Sequence, residues 1–378
     1  MLSMRLEESL ARVALTSALV AVLVIILVAG LWPFNPLPAN NVDWLRDKSG
    51  LRLGNNPIVV SRSPFQLTDT RWSSVSLEIW VRPARVGPSS TFLSIYTPGN
   101  PNQFRMMQYH NIFLVRRNIK DERGRWQDIT VGVDNVVYPN ETIFVTLTSG
   151  PKGSSIYVNG KLARYFPDCF LSGRDLSGQL IFGTSPVEKQ TWQGEWRALA
   201  IYARDLRPDE VLAHYHMWTE SGQLELVKEL PSTVLYDFHE GSGAIIRDAG
   251  GTGPDLLIPK HYSVPHKPLL QRPWEEYRPD LSYLADLAVN IAGFVPLGFL
   301  LSAFLWGSAR CRRPILTTII IGAVISLSIE TLQAFIPERS SGITDIITNT
   351  GGTAIGCLLF VQPAIRRLLT RLGIAKAE

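Results

Sequence analysis

The sequence predicts a protein of two parts, four transmembrane helices and an antiparallel β-sandwich. Four apolar stretches are each long enough, at about 20 residues, to cross the ~30 Å hydrocarbon core of a bilayer. Between the first stretch and the second, short alternating apolar runs with turn residues between them are typical of antiparallel strands. The low charged fraction of 19% in 378 residues fits a soluble domain joined to membrane spans.

The first apolar stretch, residues 13–32, predicts transmembrane helix 1 after a short N-terminal segment, residues 1–12. It contains no charged residue, and Trp32 suits an interfacial anchor at its end. A cleaved signal peptide is the alternative, but the run is long for such a peptide and no clear A-x-A site follows it. Residues 33–42, rich in Pro and Asn, predict a linker.

Residues 43–262 carry the pattern of a β-sandwich. Apolar residues alternate in Val75–Val81 and Ile143–Thr148, and Asn159-Gly160 favours a tight hairpin turn. One short helix is predicted near Pro208–Trp218, because Pro suits the first turn and acidic residues suit the positive helix end. Residues 263–283, which contain four prolines, predict a semi-rigid spacer.

Residues 284–361 predict transmembrane helices 2–4, at about 284–306, 315–336 and 344–361, followed by a basic tail, residues 362–378. By the positive-inside rule both termini are cytoplasmic and residues 43–262 are extracytoplasmic, in a multi-pass protein of the cytoplasmic (inner) membrane. The loop between spans three and four holds only Arg339. The basic residues behind this orientation are Arg5, Arg12, Arg310, Arg312, Arg313, Arg366, Arg367, Arg371 and Lys376.

The composition also narrows the classes of partner and cofactor. A net charge of +4 without Arg/Lys runs between aromatic residues gives no indication of nucleic acid. Cys169, Cys311 and Cys357 lie far apart and form no Cys/His spacing, so neither a disulfide framework nor a zinc site is expected. No metal and no cofactor is predicted. A divalent cation held by Asp286, Glu330 and Asp345 is a less favoured reading.

The membrane part resembles the VanZ-like family, named for an accessory protein of glycopeptide-antibiotic resistance. The segments that carry the resemblance are DLAVNIAGFVPLGF (286–299), SIETLQAFIPER (328–339) and DIITNTGGTAIG (345–356). The middle of the chain resembles laminin-G or concanavalin A-like jelly-roll modules in SLEIWVRP (76–83) and SIYVNGK (155–161). The resemblances imply a jelly roll inserted between spans one and two, and a role in the cell envelope. The attached sandwich favours exopolysaccharide or envelope assembly over glycopeptide resistance.

Polar residues recur where the predicted spans meet the outer side of the membrane. Ionisable groups at membrane depth are costly, which makes them functional candidates. Pairs of residues three or four apart share one helix face, so we expect the pairs on three spans to converge beside the outer loop. The predicted ligand-binding residues are Asp286, Asn290, Glu330, Gln333, Arg339, Asp345 and Asn349.

Two uses of this cluster stay open at the sequence level. It can bind the headgroup of a membrane lipid or a lipid-linked envelope component, or it can be a structural clamp whose residues satisfy one another. No catalytic residue is predicted, since the membrane part has no histidine and no activated nucleophile. An intramembrane enzyme acting on a lipid-linked saccharide is a rival interpretation, and a structural scaffold is a third.

The sandwich is expected to bind a surface glycan or a partner protein. Trp80, Trp192 and Trp196 are predicted as core residues at strand spacing, with sugar stacking by an exposed Trp as the alternative. Asp134 and Asp237 are weighed as calcium ligands against the ordinary preference of acidic residues for turns.

Overall fold

The computed structural model divides the chain into two compact units. Leu37–Lys267 forms the sandwich unit, and Met1–Pro36 joins Pro268–Glu378 in the helical unit. The structure describes residues 2–371 except 47, 68–69, 88, 188–190, 222–232, 278–280 and 307–310. An antiparallel β-sandwich and four apolar helices are both present, so the predicted fold class is confirmed.

The described residues of the sandwich form two eight-stranded antiparallel sheets. Sheet 1 has the order β1-β2-β13-β4-β9-β10-β11, and β14 also pairs with β13. Its strands are β1 Val42–Trp44, β2 Leu51–Leu53, β4 Val75–Pro83, β9 Ile143–Gly150, β10 Gly153–Val158, β11 Lys161–Phe166, β13 Gly194–Tyr202 and β14 Thr233–Tyr236. Sheet 2 has the order β15-β16-β3-β12-β5-β6-β7-β8. Its strands are β3 Val59–Ser61, β5 Ser90–Thr97, β6 Asn100–Tyr109, β7 Ile112–Lys120, β8 Trp126–Val133, β12 Gln179–Phe182, β15 Ile245–Ile246 and β16 Leu256–Leu257.

Alternation along each strand separates the core between the sheets from the outer faces. In β4, Val75, Leu77, Ile79 and Val81 all point into the main core. Trp192 and Trp196 lie in that core, as predicted.

Trp80 differs from the prediction, because it falls between two inward residues of β4 and therefore points to the outer face of sheet 1. It packs there, partly exposed, in a smaller apolar cluster.

Helix α2, Pro208–His216, covers part of that outer face, close to the predicted position. The side chain of Glu78, fully buried on β4, accepts hydrogen bonds from Tyr202 (2.6 Å) and Thr146 (3.2 Å) and lies 3.0 Å from Nδ1 of His214 on the helix. A buried carboxylate needs such partners, so this network fixes α2 on the sheet.

In the described part of the helical unit, four helices are long and apolar enough to cross a membrane. Their positions agree closely with the four predicted spans. The helices of this unit are α1 Leu2–Leu31, α3 Pro273–Glu276, α4 Leu281–Trp306, α5 Pro314–Gln333, α6 Ile343–Val361 and α7 Pro363–Arg371. The two short helices α3 and α7 lie where the sequence predicted a spacer and a tail, and both begin at a proline, as the first helical turn permits.

Helices α4 and α6 pack closely through glycines. A Cβ atom at Gly352 would lie 2.2 Å from the backbone oxygen of Ile291, and one at Gly356 would lie 2.2 Å from that of Val295. The numbers of the residues in contact rise together, from 291 to 295 on α4 and from 352 to 356 on α6, so the two helices run parallel. The Gly352-x-x-x-Gly356 motif therefore serves packing within the chain.

Helices α1 and α5 run the opposite way. Gln333 near the end of α5 donates to the backbone oxygen of Gly30 near the end of α1 (2.7 Å), whereas Leu15 packs with Phe360 near the end of α6. One end of the bundle therefore gathers the ends of α1 and α5 and the starts of α4 and α6.

Candidate functional site

The end of the bundle just described carries most of the polar residues predicted as a site. We call it the polar end, defined by Glu276, Asn290, Ser326, Glu330, Gln333, Arg339, Gly342, Thr344, Asp345 and Asn349. It is formed by α3, the start of α4, the last two turns of α5, the loop after α5 and the start of α6.

Glu330 is the buried acid at the centre of the polar end. It lies in the last turn of α5 and is 1% exposed. Its Oε2 accepts a hydrogen bond from the backbone N–H of Gly342 (2.7 Å), the residue that precedes α6. Unpaired N–H groups and the helix dipole favour a negative charge at that position. Glu276, Arg339 and Asp345 are near enough to interact with Glu330 electrostatically.

Polar contacts at this end join all four spans. Asn290 on α4 donates to Oδ1 of Asp345 on α6 (2.7 Å), and Asn349 on α6 donates to Oγ of Ser326 on α5 (3.0 Å). The bond from Gln333 to the backbone of α1 completes the set. Asn349 and Gln333 are 5% and 3% exposed, so these bonds form in a nearly dry setting, where an unmade bond is expensive.

Two predicted site residues are placed differently from the rest. Asp286 is exposed on α4, one turn before Asn290, and its side chain makes no hydrogen bond or ion pair with any residue that the structure describes. Arg339 is partly exposed in the loop after α5 and acts on Glu330 through its charge. It makes no ion pair within 4.0 Å in the described ranges.

Glu276 is a member of the polar end that the sequence analysis missed. Its Oε2 accepts from the backbone N–H of Thr344 (3.2 Å) in the first turn of α6. A Cβ at Gly342 would lie 1.4 Å from its Oε1, so this carboxylate occupies the space that a side chain at 342 would need. The proline-led turn P-W-E-E, which starts a helix here, was the available signal in the sequence.

The chain before α3 is tied to the same place. Gln271 and Gly342 form a parallel β-bridge, in which the backbone N–H of Gln271 donates to the oxygen of Ser341 and the N–H of Ile343 donates to the oxygen of Gln271, both at 2.9 Å. The backbone N–H of Leu270 donates to Oγ of Ser341 (3.2 Å). The segment that enters the membrane unit therefore lies across the start of α6.

The polar end combines several carboxylates with buried polar atoms that lack a partner. Among the residues that the structure describes, the charged groups acting on Glu330 are the carboxylates of Glu276 and Asp345 and the guanidinium of Arg339. Oδ1 of Asn349 and Oγ1 of Thr344 are buried and have no hydrogen-bond partner in the described part of the chain. Among those same residues, no group of three or more His, Cys, Asp or Glu side chains is placed to hold a metal ion. Chemically, the arrangement can accept hydrogen bonds from a cationic or hydroxyl-bearing group.

The fold and these spans define a multi-pass membrane protein that carries a lectin-type β-sandwich. Comparison with protein families agrees: residues 246–367 match the VanZ/LLP1 family model, and residues 54–212 match a model of the concanavalin A-like lectin/glucanases superfamily, Laminin_G_3. The chain thus combines a VanZ-like membrane unit with a laminin-G/concanavalin A-like jelly-roll domain, and both resemblances seen in the sequence are confirmed. Comparison with curated proteins gave no match.

Solved structures similar to the chain include receptor-binding parts of botulinum neurotoxins. The binding domain of botulinum neurotoxin DC in complex with rat synaptotagmin II is 19% identical, with 47% of this chain and 45% of that chain covered and a TM-score of 0.37. The same domain in complex with SialylT is 20% identical over 48% of this chain and 46% of that chain, with a TM-score of 0.37. The type G receptor binding domain is 18% identical over 48% and 45%, with a TM-score of 0.33. The chain spans less than half the length of these structures.

Proposed function

We propose that this protein binds a polar headgroup at the polar end and a surface glycan or partner protein through the sandwich. The headgroup belongs to a membrane lipid or a lipid-linked envelope component, and the membrane is the cytoplasmic (inner) one. The process served is exopolysaccharide or envelope assembly, with glycopeptide resistance as the family's namesake case. The proposed domain limits are those of the sequence analysis, with the sandwich at residues 43–262 and the VanZ-like spans at 284–361.

Two buried polar atoms without a partner carry the headgroup proposal. Buried polar groups in folded proteins are nearly always hydrogen-bonded, so a purely structural clamp should satisfy its own members. Here Oδ1 of Asn349 and Oγ1 of Thr344 have no partner among the described residues. A ligand that supplies donors, such as an ammonium group or sugar hydroxyls, would complete the set. A bare phosphate would add repulsion instead.

The orientation proposal places the polar end at the outer leaflet. Arg12 lies toward the start of α1, Arg313 immediately precedes α5, and Arg366 lies in α7, all at the opposite end of the bundle. Arg366 stacks on the ring of Trp306 (4.5 Å), which anchors α7 beside the end of α4. Basic residues favour the cytoplasmic side, so the termini lie inside and the polar end and sandwich lie outside. Arg310, which also supports this orientation in the sequence, is outside the described residues.

The test is lipid retention by the full-length protein, measured by native mass spectrometry after purification from vesicles. The probes are phosphatidylethanolamine, whose ammonium group donates hydrogen bonds, and phosphatidic acid, which offers only phosphate. We expect wild type to retain phosphatidylethanolamine preferentially and Glu330→Gln to lose most of that preference. The Gln side chain can still accept from the Gly342 N–H, so the start of α6 keeps its bond while the charge is removed.

The matched control is Glu338→Gln, which removes an exposed carboxylate from the loop after the same helix. It should retain lipid as wild type does. If folded Glu330→Gln retains phosphatidylethanolamine like wild type and differs only in thermal stability, the polar end is a structural clamp and the headgroup proposal is wrong.

A further inference from the structure

The outer face of sheet 1 is covered by α2 over one part and carries a row of charged residues over another. The register places Asp43 of β1 opposite Arg52 of β2, Arg52 opposite Glu195 of β13, and Glu195 opposite Arg82 of β4. These four side chains, which we call the charged row, alternate in sign across four adjacent strands. Directly opposite residues of opposite charge stabilise a sheet, so the row has a structural role to begin with.

The cations of this surface outnumber the carboxylate that they surround. Glu195 lies 3.8 Å from Arg52, 3.7 Å from Arg82 and 3.9 Å from Lys48, a residue of the β1–β2 loop. Of the cations that the structure describes, only Arg197 forms a hydrogen bond with it. Charge-assisted hydrogen bonds are about 2.7–2.9 Å long. Lys48, Arg52 and Arg82 therefore remain outside direct bonding distance of Glu195.

Arg197 explains why Glu195 does not neutralise the others. It sits at the irregularity of β13 between Trp196 and Ala198, and its side chain is only 8% exposed. Burial lowers the pKa of Arg197 from its ordinary value, and the adjacent Glu195 opposes that effect. The carboxylate is thus committed to the buried guanidinium. Asp43, although opposite Arg52, makes no ion pair with it within 4.0 Å.

The exposed cations are therefore placed to bind an anion from solution. The side chains of Arg52, Lys48 and Arg82 are 65%, 50% and 37% exposed. Arg52 and Arg82 are two strands apart, a separation of about 10 Å. That spacing suits a polymer with one acidic group per disaccharide better than a single compact anion.

Trp80 borders the same surface. It lies two residues before Arg82 on the same face of β4, partly exposed, between the charged row and the cluster under α2. A tryptophan offers a flat apolar surface with low conformational cost, which suits contact with a sugar ring.

We propose that this part of sheet 1 is a binding site for an acidic polysaccharide, with its carboxylate or phosphate groups on Lys48, Arg52 and Arg82 and a sugar ring against Trp80. The site deepens the proposed glycan-binding role of the sandwich and rests on it.

The experiment measures polysaccharide binding to the full-length protein in a neutral detergent by biolayer interferometry. The probes are hyaluronate, which has one carboxylate per disaccharide, and dextran, which has none. Wild type should bind hyaluronate at low salt, bind dextran at least tenfold more weakly, and lose affinity for hyaluronate as salt screens the charges. Replacing both arginines, in Arg52→Gln/Arg82→Gln, should weaken hyaluronate binding about tenfold.

Arg62→Gln is the matched control, because Arg62 is similarly exposed (57%), lies 3.9 Å from Asp255 and follows β3 of the other sheet. It should bind as wild type does. Circular dichroism establishes whether each variant is folded. If the double variant is not folded, the single variant Arg52→Gln replaces it in the test, because this change removes no hydrogen bond.

Two results would overturn the proposal while leaving glycan binding by the sandwich intact: wild-type affinity in the double variant, or an equal loss in Arg62→Gln. Wild type that binds neither polysaccharide would overturn the glycan-binding role itself. Binding to phosphatidylglycerol vesicles through Arg52 and Arg82, without binding to hyaluronate, would assign the surface to anionic lipid instead.

Discussion

Two neighbouring glycines give a sharp test of the helix packing in the membrane unit. A Cβ at Gly352 would lie 2.2 Å from the backbone oxygen of Ile291, whereas a Cβ at Gly351 meets nothing within 4 Å. Both residues are in the middle of α6, so Gly352→Ala and Gly351→Ala add the same methyl group to the same helix. Only the first methyl group meets the backbone of α4.

The expected effects have opposite signs. To accept the methyl group at 352, α4 and α6 must separate by about 1 Å, since close-packed interiors leave no slack. Overpacking of this kind typically costs about 1–3 kcal/mol, and here the obstacle is backbone rather than a side chain that can rotate. At 351 the substitution brings the helix preference of Ala over Gly, about 1 kcal/mol in its favour. Gly352→Ala gains the same helix preference, so that contribution cancels in the comparison, and the two variants should differ by the overpacking cost, about 1–3 kcal/mol in the free energy of unfolding.

Cys357 reports on this interface. It lies on α6, 1% exposed, and its Sγ approaches Ser302 of α4 (3.1 Å). In full-length protein whose other two cysteines are replaced by alanine, a thiol-reactive dye should label Cys357 at a lower temperature in Gly352→Ala than in wild type. Gly351→Ala should label at the same temperature or a higher one. Equal labelling in the two variants would refute the packing argument.

Three further predictions concern topology, helix α2 and the separability of the sandwich. Reporter fusions at Arg312 and Gly153 should give opposite signals, because the positive-inside rule puts residue 312 in the cytoplasm and the sandwich outside; the same signal at both sites would contradict this orientation. Burial raises the pKa of Glu210, but hydrogen bonds from Arg204 and from the Arg207 N–H outweigh it and hold the pKa below its ordinary value. Glu210→Gln should therefore lower the free energy of unfolding of the sandwich by about 0.5–1 kcal/mol at pH 7, and this difference should vanish as the pH falls through the lowered pKa. Denaturant unfolding at several pH values measures the difference, and a difference that does not change with pH would contradict the prediction. A fragment of residues 40–265 should be soluble and β-rich by circular dichroism, because it holds its own core; an insoluble or helical product would count against the proposed limits.

The membrane spans could be predicted because the bilayer imposes their length and composition. The sandwich could be predicted as a class, because alternation and turn residues are local signals. Its strand order could not, because β13 pairs with β2, β4 and β14, and these partners are distant in sequence. Trp80 shows the same limit at one residue: alternation assigns it to a face, but only the position of α2 decides whether that face is covered.

At the polar end, helix spacing predicted part of the arrangement and could not predict the rest. Asn290 and Asp345 meet because each opens its helix and the two helices run parallel. Asp286 shares the face of Asn290, but Asn290 already meets the first turn of α6, so one turn earlier α6 offers no residue to contact. Glu276 was missed because it lies outside the apolar spans, and only the folded chain brings it to the start of α6.

The shape of the bundle below the polar end favours binding over passage of a ligand. Three helices converge on Thr353, one turn beyond Asn349: a Cβ at Gly298 of α4 would lie 2.1 Å from its backbone oxygen, and one at Gly322 of α5 would lie 2.4 Å from its Oγ1. The hydroxyl of Thr353 is itself bonded to the backbone oxygen of Asn349 (3.0 Å). The polar residues therefore lie next to a region where the helices pack closely against backbone atoms, and not at the opening of a polar channel. A headgroup that reaches Glu330 would therefore be held at one end of the bundle, as the headgroup proposal requires.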